Sequence, residues 1–358
     1  MPKKILLIDI AVNTLDPLFL AKTINEKLSL IKNALATLET TIDTSFPELW
    51  VSSQKIVGIV VMPENFFSSA GKSRQYLEKE AREIERELAK LSVEFPKILL
   101  IAPIIWKKSA YFTDEISEAK KDFAGYKQDK EQRGITSLDH ERYLEKCRTQ
   151  NSRIKKAEQI IDGPAGYFFD FKDNIKGVSN ELYDKLRELR AKDERKSLTI
   201  SRTTARFFLN GKQIGKCHKG SDFEEVRDYG NIFVSGTAIP LVQLPELSLG
   251  IEFCSNHKFG ILKKGHSISA NSPTLNEENK PHIHLIMSAF IRNLPENVQV
   301  KKTGGFLVHS SSEPNSRTYT QYLPDGTKSL DILQQNDFNI VTLDFPPHPF
   351  HNDLARPA

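Results

Sequence analysis

The sequence predicts an α/β protein in which helices layer on sheet. Three observations carry that prediction. Short β-branched apolar runs alternate with charged segments of helical period over the first hundred residues, the second half is dense in strand-like runs, and the stretch between them is far more charged than either. With 358 residues, 39% of them hydrophobic, the chain can bury the core of one large domain or two ordinary ones, which excludes a peptide hormone, a disulfide mini-protein and a disordered tail.

Taken in order, Ile5 to Ile10 is a nearly continuous apolar run, as expected of a strand covered on both faces. Leu20, Ile24, Leu28, Ile31, Leu35 and Leu38 then recur at steps of three and four, which places them on one side of a helix whose other side carries Lys22, Glu26, Lys27 and Lys32. Ile56 to Met62 is a second buried strand, stopped by Pro63, which has no N–H for a ladder. Tyr76, Leu77, Ala81, Ile84, Leu88 and Leu91 mark a second helix, and Ile98 to Ile105 a third strand. This βαβαβ order favours helices on a sheet over an all-β barrel.

From Lys107 to Lys196, 39 of 90 residues are charged, 21 basic and 18 acidic, so this segment reads as an insertion. Leu182, Leu186 and Leu189 form a helical stripe there, with Glu181/Lys185 and Glu188/Lys192 spaced as i,i+4 pairs. The expectation is a solvated, largely helical excursion. Strand-like runs then return at Leu198 to Leu209, Ile239 to Leu244, Ser248 to Phe253, Ile283 to Phe290, Phe306 to Ser310, Thr318 to Leu323 and Ile340 to Phe345. Asn210-Gly211 is a hairpin signal. No solenoid-type repeat is visible.

Lys plus Arg exceed Asp plus Glu by only four, which gives no phosphate-binding stripe; nucleic acid is not the expected partner. Three cysteines, Cys147, Cys217 and Cys254, are few and odd in number, which points to a reducing compartment such as the cytoplasm. The opening apolar run is broken by Asp9 and Asn13, so neither a signal segment nor a membrane span is expected.

Three strand ends could hold chemistry. Glu64 directly follows a buried strand, where rigid backbone and partial desolvation suit a general base. Lys219 closes the run that starts at Gly211, although a lysine in such a strand is ordinarily surface charge. Cys254 ends an apolar strand that turns abruptly small and polar, the setting of a nucleophile held in a tight turn, where a lone buried cysteine would otherwise be core filler.

Pro63-Glu64, the Gly-Lys-x-x-Gly-x-x-x-Lys run from Gly211 to Lys219, and Gly250-x-x-x-Cys254, in that order, resemble the nitrilase superfamily of carbon-nitrogen hydrolases. The resemblance covers about two-thirds of the chain once the insertion is set aside. It implies a four-layer α-β-β-α sandwich, commonly a homodimer, acting on a small amide or related substrate without a cofactor or metal. It further implies a Glu-Lys-Cys triad in which Glu64 is the base, Lys219 the cationic stabiliser and Cys254 the nucleophile, with the N–H of Ser255 beside the oxyanion. A second carboxylate beside the lysine, common in the family, falls on Glu225 or Glu224, with Glu225 preferred. The chain departs from the family at Cys217, where tyrosine is usual, at Asn256, where an acid is usual, and at Leu294 to Thr303, which is too short for the long helix expected there.

His282 and His284 would share a face if both lay on a strand, and His348 and His351 lie in a Pro-rich tail, but no second pair has ligand spacing, so ordinary histidines are expected. The leading function is a thiol hydrolase of a non-peptide carbon-nitrogen bond working through a thioester. The alternatives are a catalytically idle or regulatory binding protein on the same fold that recruits a partner through the insertion, and a papain-like protease. The last needs a histidine in reach of Cys254, and His257 is too close in sequence to be an obvious base.

Overall fold

The computed structural model describes residues 4–70, 74–110, 198–219, 232–233, 240–244, 246–264, 277 and 280–346. The charged segment expected as an insertion, apart from residues 107–110, lies outside these, as do Cys147, Glu224, Glu225, His348 and His351. The chain divides into two compact units: Met1–Trp106 with Arg202–Ser221 and Ser235–Ala358, and Lys107–Ser201 with Asp222–Val234.

In the first unit the chain runs β1 (Lys4–Ile10), α1 (Pro17–Leu20), α2 (Ile24–Ser45), α3 (Glu48–Val51), β2 (Gly58–Val61), β3 (Tyr76–Leu77), α4 (Glu78–Glu94) and β4 (Ile98–Ala110). After β5 (Leu198–Leu209) and β6 (Lys212–His218), joined through Asn210 and Gly211 at φ of 49° and 75°, come β8 (Leu241–Gln243) and β9 (Ser248–Phe253). Two short helices, α5 (Cys254–Phe259) and α6 (Ile261–Lys264), precede β10 (Ile283–Ser288), β11 (Gly305–Ser311), β12 (Thr318–Leu323), β13 (Gly326–Ser329), β14 (Ile332–Gln335) and β15 (Phe338–Asp344). In the second unit the described residues are the far ends of β4 and β5 and the short β7 (Ile232–Phe233), which pairs in parallel with Ile200 and Ser201.

The helical period becomes helix where a cap exists. Thr23 opens α2 with a capping box: its backbone N–H donates to Glu26 and its hydroxyl accepts from the Glu26 N–H. That places Leu20 in a separate turn and corrects the longer stripe expected from spacing alone. Lys27 is a second correction. It is fully buried, since it lies three residues after Ile24 and four before Ile31, on the face that turns inward. At α4, Tyr76 and Leu77 pair with β4 before the helix begins, and Leu77 is exposed.

One sheet has the order β14-β15-β1-β2-β4-β5-β6, with β1, β2 and β4 parallel. The other has the order β13-β12-β11-β10-β9-β8, with β9, β10 and β11 parallel. Alternation decides which core each strand residue enters. Leu6, Ile8, Val60, Ile98 and Leu100 pack with Ile31, Leu35, Leu38, Ile84 and Leu88 of the helices. Ile5, Leu7, Ile59, Val61, Leu99 and Ile101 pack with Leu249, Ile251, Phe253, Leu285 and Val308 of the other sheet. The strands β13 and β14 carry exposed, mostly polar residues, which is why the sequence pattern does not announce them.

The two sheets are aligned at one end by buried polar contacts. Ser310 and the Tyr319 hydroxyl donate to the Asp9 carboxylate, and Thr14 bonds Ser312. The carboxyl ends of β1, β2 and β4 therefore lie at the same end as those of β9, β10 and β11. Among the described residues, no helix is long and apolar enough to cross a membrane.

Candidate active site

Glu64 and Cys254 both sit at that shared end. Glu64 follows β2 by way of Met62 and Pro63, and is almost fully buried. Its turn is held by the Phe66 N–H donating to the Pro63 carbonyl and by the Ser68 hydroxyl donating to the Asn65 carbonyl. Lys27 supports it from α2: its Nζ donates to the Ser68 carbonyl at 2.6 Å and lies 5.1 Å from the centre of the Phe19 ring. Burial pulls the Lys27 ammonium down to a pKa of about 8.

Lys219 leaves the end of β6, where its backbone N–H donates to the Thr203 carbonyl at 2.8 Å. Its side chain is completely buried, and its Nζ donates to Glu64 Oε1 at 2.7 Å, joining residues 155 positions apart. An ammonium removed from water needs such a partner, and the contact holds both side chains in place. The structure thus brings Glu64 and Lys219 into direct contact.

Cys254 is the first residue of α5, immediately after β9, and is nearly buried with Ser255 and Asn256 beside it. Its φ of 20° lies outside the basins usual for a residue with a Cβ, as in a sharp strand-to-helix turn. The end of β6 comes into electrostatic reach of the end of β9. Burial first, and then the Glu252 charge, push the Cys217 thiol, two residues before Lys219, up to about 12.

Behind the cysteine turn stands a cluster that spacing did not reveal. Glu252, His257 and His284 are fully buried, and their oxygen and nitrogen atoms converge closely enough for a metal ion. The hydrogen bonds decide against one. His257 Nδ1 and His284 Nε2 both donate to Glu252 Oε2, at 2.7 and 2.9 Å, and the Leu262 N–H donates to Oε1 at 2.7 Å. The opposite ring nitrogens accept backbone N–H groups: His257 Nε2 from Leu294 at 3.0 Å and His284 Nδ1 from Gln299 at 3.1 Å. Each ring therefore keeps its proton toward Glu252, and coordinating a cation there would demand imidazolates. Burial pushes the Glu252 carboxyl up, but the hydrogen bonds from the two histidines outweigh it and hold its pKa at about 2. Burial lowers the pKa of His284.

The same bonds remove His257 as a protease-type base for Cys254. His282 and His284 also part company. His282 precedes β10 and bonds Ser248, whereas His284 enters the cluster.

No known family matches the sequence, and no curated protein matches it. Among solved structures, the chain is similar to Saccharomyces cerevisiae Nit3, a member of branch 10 of the nitrilase superfamily, at 11% identity over 96% of this chain and 91% of that one, with a TM-score of 0.44. It is similar to a mutant of the Nesterenkonia AN1 amidase from the nitrilase superfamily at 11% identity, over 96% and 90% of the two chains, with a TM-score of 0.44. Both of these solved structures, to which this mixed α/β chain is similar at low identity, are nitrilase-superfamily members.

Proposed function

We propose that the protein is a divergent nitrilase-superfamily enzyme with an α-β-β-α layering, a thiol hydrolase that cleaves a non-peptide carbon-nitrogen bond of a small amide or related molecule. The observation that carries this reading is the buried Lys219–Glu64 ion pair at 2.7 Å, set at the same sheet end as the sharply turned Cys254. Two charges are costly to bury, and a pair with no catalytic use could be replaced by apolar residues at little loss of stability.

On this reading Glu64, held as a carboxylate by Lys219, takes the Cys254 thiol proton, and the thiolate attacks the amide carbon. The Lys219 ammonium and the Ser255 N–H stabilise the oxyanion. The proton passes from Glu64 to the leaving nitrogen as the carbon-nitrogen bond breaks, which leaves a thioester on Cys254. Glu64 then takes a proton from water, hydroxide adds to the thioester, and collapse releases the acid and returns the proton to sulfur. The second carboxylate that the family resemblance implies falls on Glu225, or else Glu224, both outside the described residues. The reading includes a homodimer in the cytoplasm; sedimentation as a monomer at working concentration would remove the dimer from it.

The test is intact mass spectrometry after incubation with a library of small amides. An acyl adduct on Cys254, absent in Cys254→Ala and Glu64→Gln, is the expected result. Lys219→Ala should slow acylation by about 10²–10³-fold. Amide hydrolysis that survives Cys254→Ala overturns the assignment, and an unlabelled Cys254 across the library favours a binding protein on this fold.

A further inference from the structure

We propose that Glu252, His257 and His284 are positioning residues for Cys254, forming a closed hydrogen-bonded knot that fixes the turn between β9 and α5. The proposal deepens the reading of Cys254 as nucleophile and rests on it.

The knot begins two residues before the cysteine. Leu249, Ile251 and Phe253 point into the core between the sheets, so Glu252 points out of the opposite face of β9. There it accepts one hydrogen bond from each element that defines the turn: His257 from α5, Leu262 from α6 and His284 from the neighbouring strand β10. Cys254 lies between Glu252 and His257 in the chain, so the short bond between those two side chains closes a loop around it.

The loop is in turn fastened to the segment between β10 and β11. In place of the long helix expected there, that segment holds a single 3-10 turn, Pro295–Asn297. It is tied down by the N–H groups of Leu294 and Gln299 on the two rings, and by Asn297 Nδ2 donating to the His257 carbonyl at 2.8 Å and the Lys258 carbonyl at 3.2 Å.

Gly250 makes this geometry possible. A Cβ there would lie 2.5 Å from Leu262 Cδ2 and 2.9 Å from Pro281 Cγ, so a larger residue would press on α6, whose Leu262 N–H reaches Glu252. Every donor faces an acceptor, and each imidazole has a donor on one nitrogen and an acceptor on the other. Such a network has one low-energy arrangement, which is what a strained turn requires.

The test uses the full chain and measures the pH midpoint of iodoacetamide alkylation at Cys254, with Cys217 on the same molecules as a buried reference and thermal melting alongside. Variants are His284→Leu, Glu252→Gln and His284→Gln, the last of which places an amide N–H near the position of Nε2. If the knot positions the thiol, His284→Leu and Glu252→Gln raise the Cys254 midpoint by about one unit or more toward an ordinary thiol while Cys217 stays protected, and His284→Gln recovers at least half of that shift. Should Glu252→Gln fail to fold, the two His284 variants carry the comparison.

A lowered Cys254 midpoint that none of the variants moves, with only melting affected, overturns the positioning role and leaves the nucleophile reading intact. An ordinary midpoint in the unaltered protein overturns both. Stoichiometric zinc in the purified protein, with a midpoint that shifts on chelation, overturns the knot in favour of a metal site.

Discussion

On the outer side of the first sheet, α2 and α4 lay Ile31, Leu35, Leu38, Ile84 and Leu88 over strand residues that are equally apolar. The outer side of the second sheet carries Glu252, His284, Ser288 and His309 at equivalent depth, where the described residues place α5, α6 and one 3-10 turn. Apolar contact is roughly proportional to area and has little direction, so the first cover holds its helices with considerable latitude. Hydrogen bonds in a dry site are directional, and costly when broken. The contrast assigns stability to one face and placement to the other, and each half of it can be broken separately.

Removing the central acceptor should have the largest effect. Glu252→Leu strands three buried donors and should cost about 3–5 kcal/mol in chemical denaturation. Leu35→Ala on the opposite cover should cost about 2–5 kcal/mol through its cavity. The two variants are thus comparable in stability, and Cys254 separates them: its alkylation midpoint should move in Glu252→Leu and stay fixed in Leu35→Ala. Equal movement in both would mean that the two covers act alike.

Acid should loosen the polar face selectively. His309 donates to or accepts from Ser288 at 2.8 Å and its Nδ1 has no hydrogen-bond partner; burial, chiefly, holds its pKa down to about 3. His284 is lowered in the same direction. Below the unfolded value near 6.5 the unfolded chain binds protons that these rings refuse, so stability is full above that pH and falls with acid. His309 alone should contribute a slope of about 1.4 kcal/mol per pH unit, or about 2 kcal/mol lost by pH 5. Asp9 works against this trend. Burial raises its pKa, and the stability of its protonated form is lost as pH rises through that value. Melting of His309→Gln between pH 7 and pH 5 should be visibly flatter than that of the unaltered protein; parallel curves would remove His309 as the source.

How legible each face was in the sequence follows the same division. Periodicity of three and four located α2 and α4, and apolar runs located β1, β2, β4 and β9, because those elements are apolar on the side they bury. Lys27 was misplaced for the converse reason. Its type suggests solvent, whereas its spacing from Ile24 and Ile31 puts it inside. The contact between Glu64 and Lys219 was reached through motif order, since no local pattern links residues 155 apart. Glu252 and His284 were unreadable as a pair, because the register of Ile286 with Glu252 and of His284 with Gly250 is set only once β9 and β10 align. One clue lay open: a glutamate inside the otherwise apolar run from Leu249 to Phe253 has to find donors.

Matched glycines sharpen the comparison at smaller cost. A Cβ on Gly58 would meet Leu38 Cδ2 at 2.8 Å, where α2 crosses β2, much as one on Gly250 would meet Leu262 at 2.5 Å. Both alanine variants should lose about 1–2 kcal/mol by overpacking, measured as melting midpoints. Gly58→Ala presses on α2 at Leu38, about three turns along the helix from Lys27, and should leave Cys254 labelling unchanged. Gly250→Ala pushes α6 away from Glu252 and should slow it.

The smallest expected effect compares two caps. Thr23 closes the start of α2, and Thr23→Ala should cost about 1 kcal/mol with no change at Cys254. At α5 the cap lies at the far end. Gly260 takes φ of 62° and donates its N–H to the Asn256 and His257 carbonyls, and Asn297 Nδ2 donates to the His257 and Lys258 carbonyls. Asn297→Ala should likewise cost about 1 kcal/mol. Because α5 has only six residues and begins at the cysteine, losing the two Asn297 bonds loosens the end of a helix that starts at the thiol. The Cys254 alkylation midpoint should therefore rise measurably in Asn297→Ala although the loss of stability equals that in Thr23→Ala. Equal stability with unequal chemistry is the outcome that a purely structural second cover could not produce.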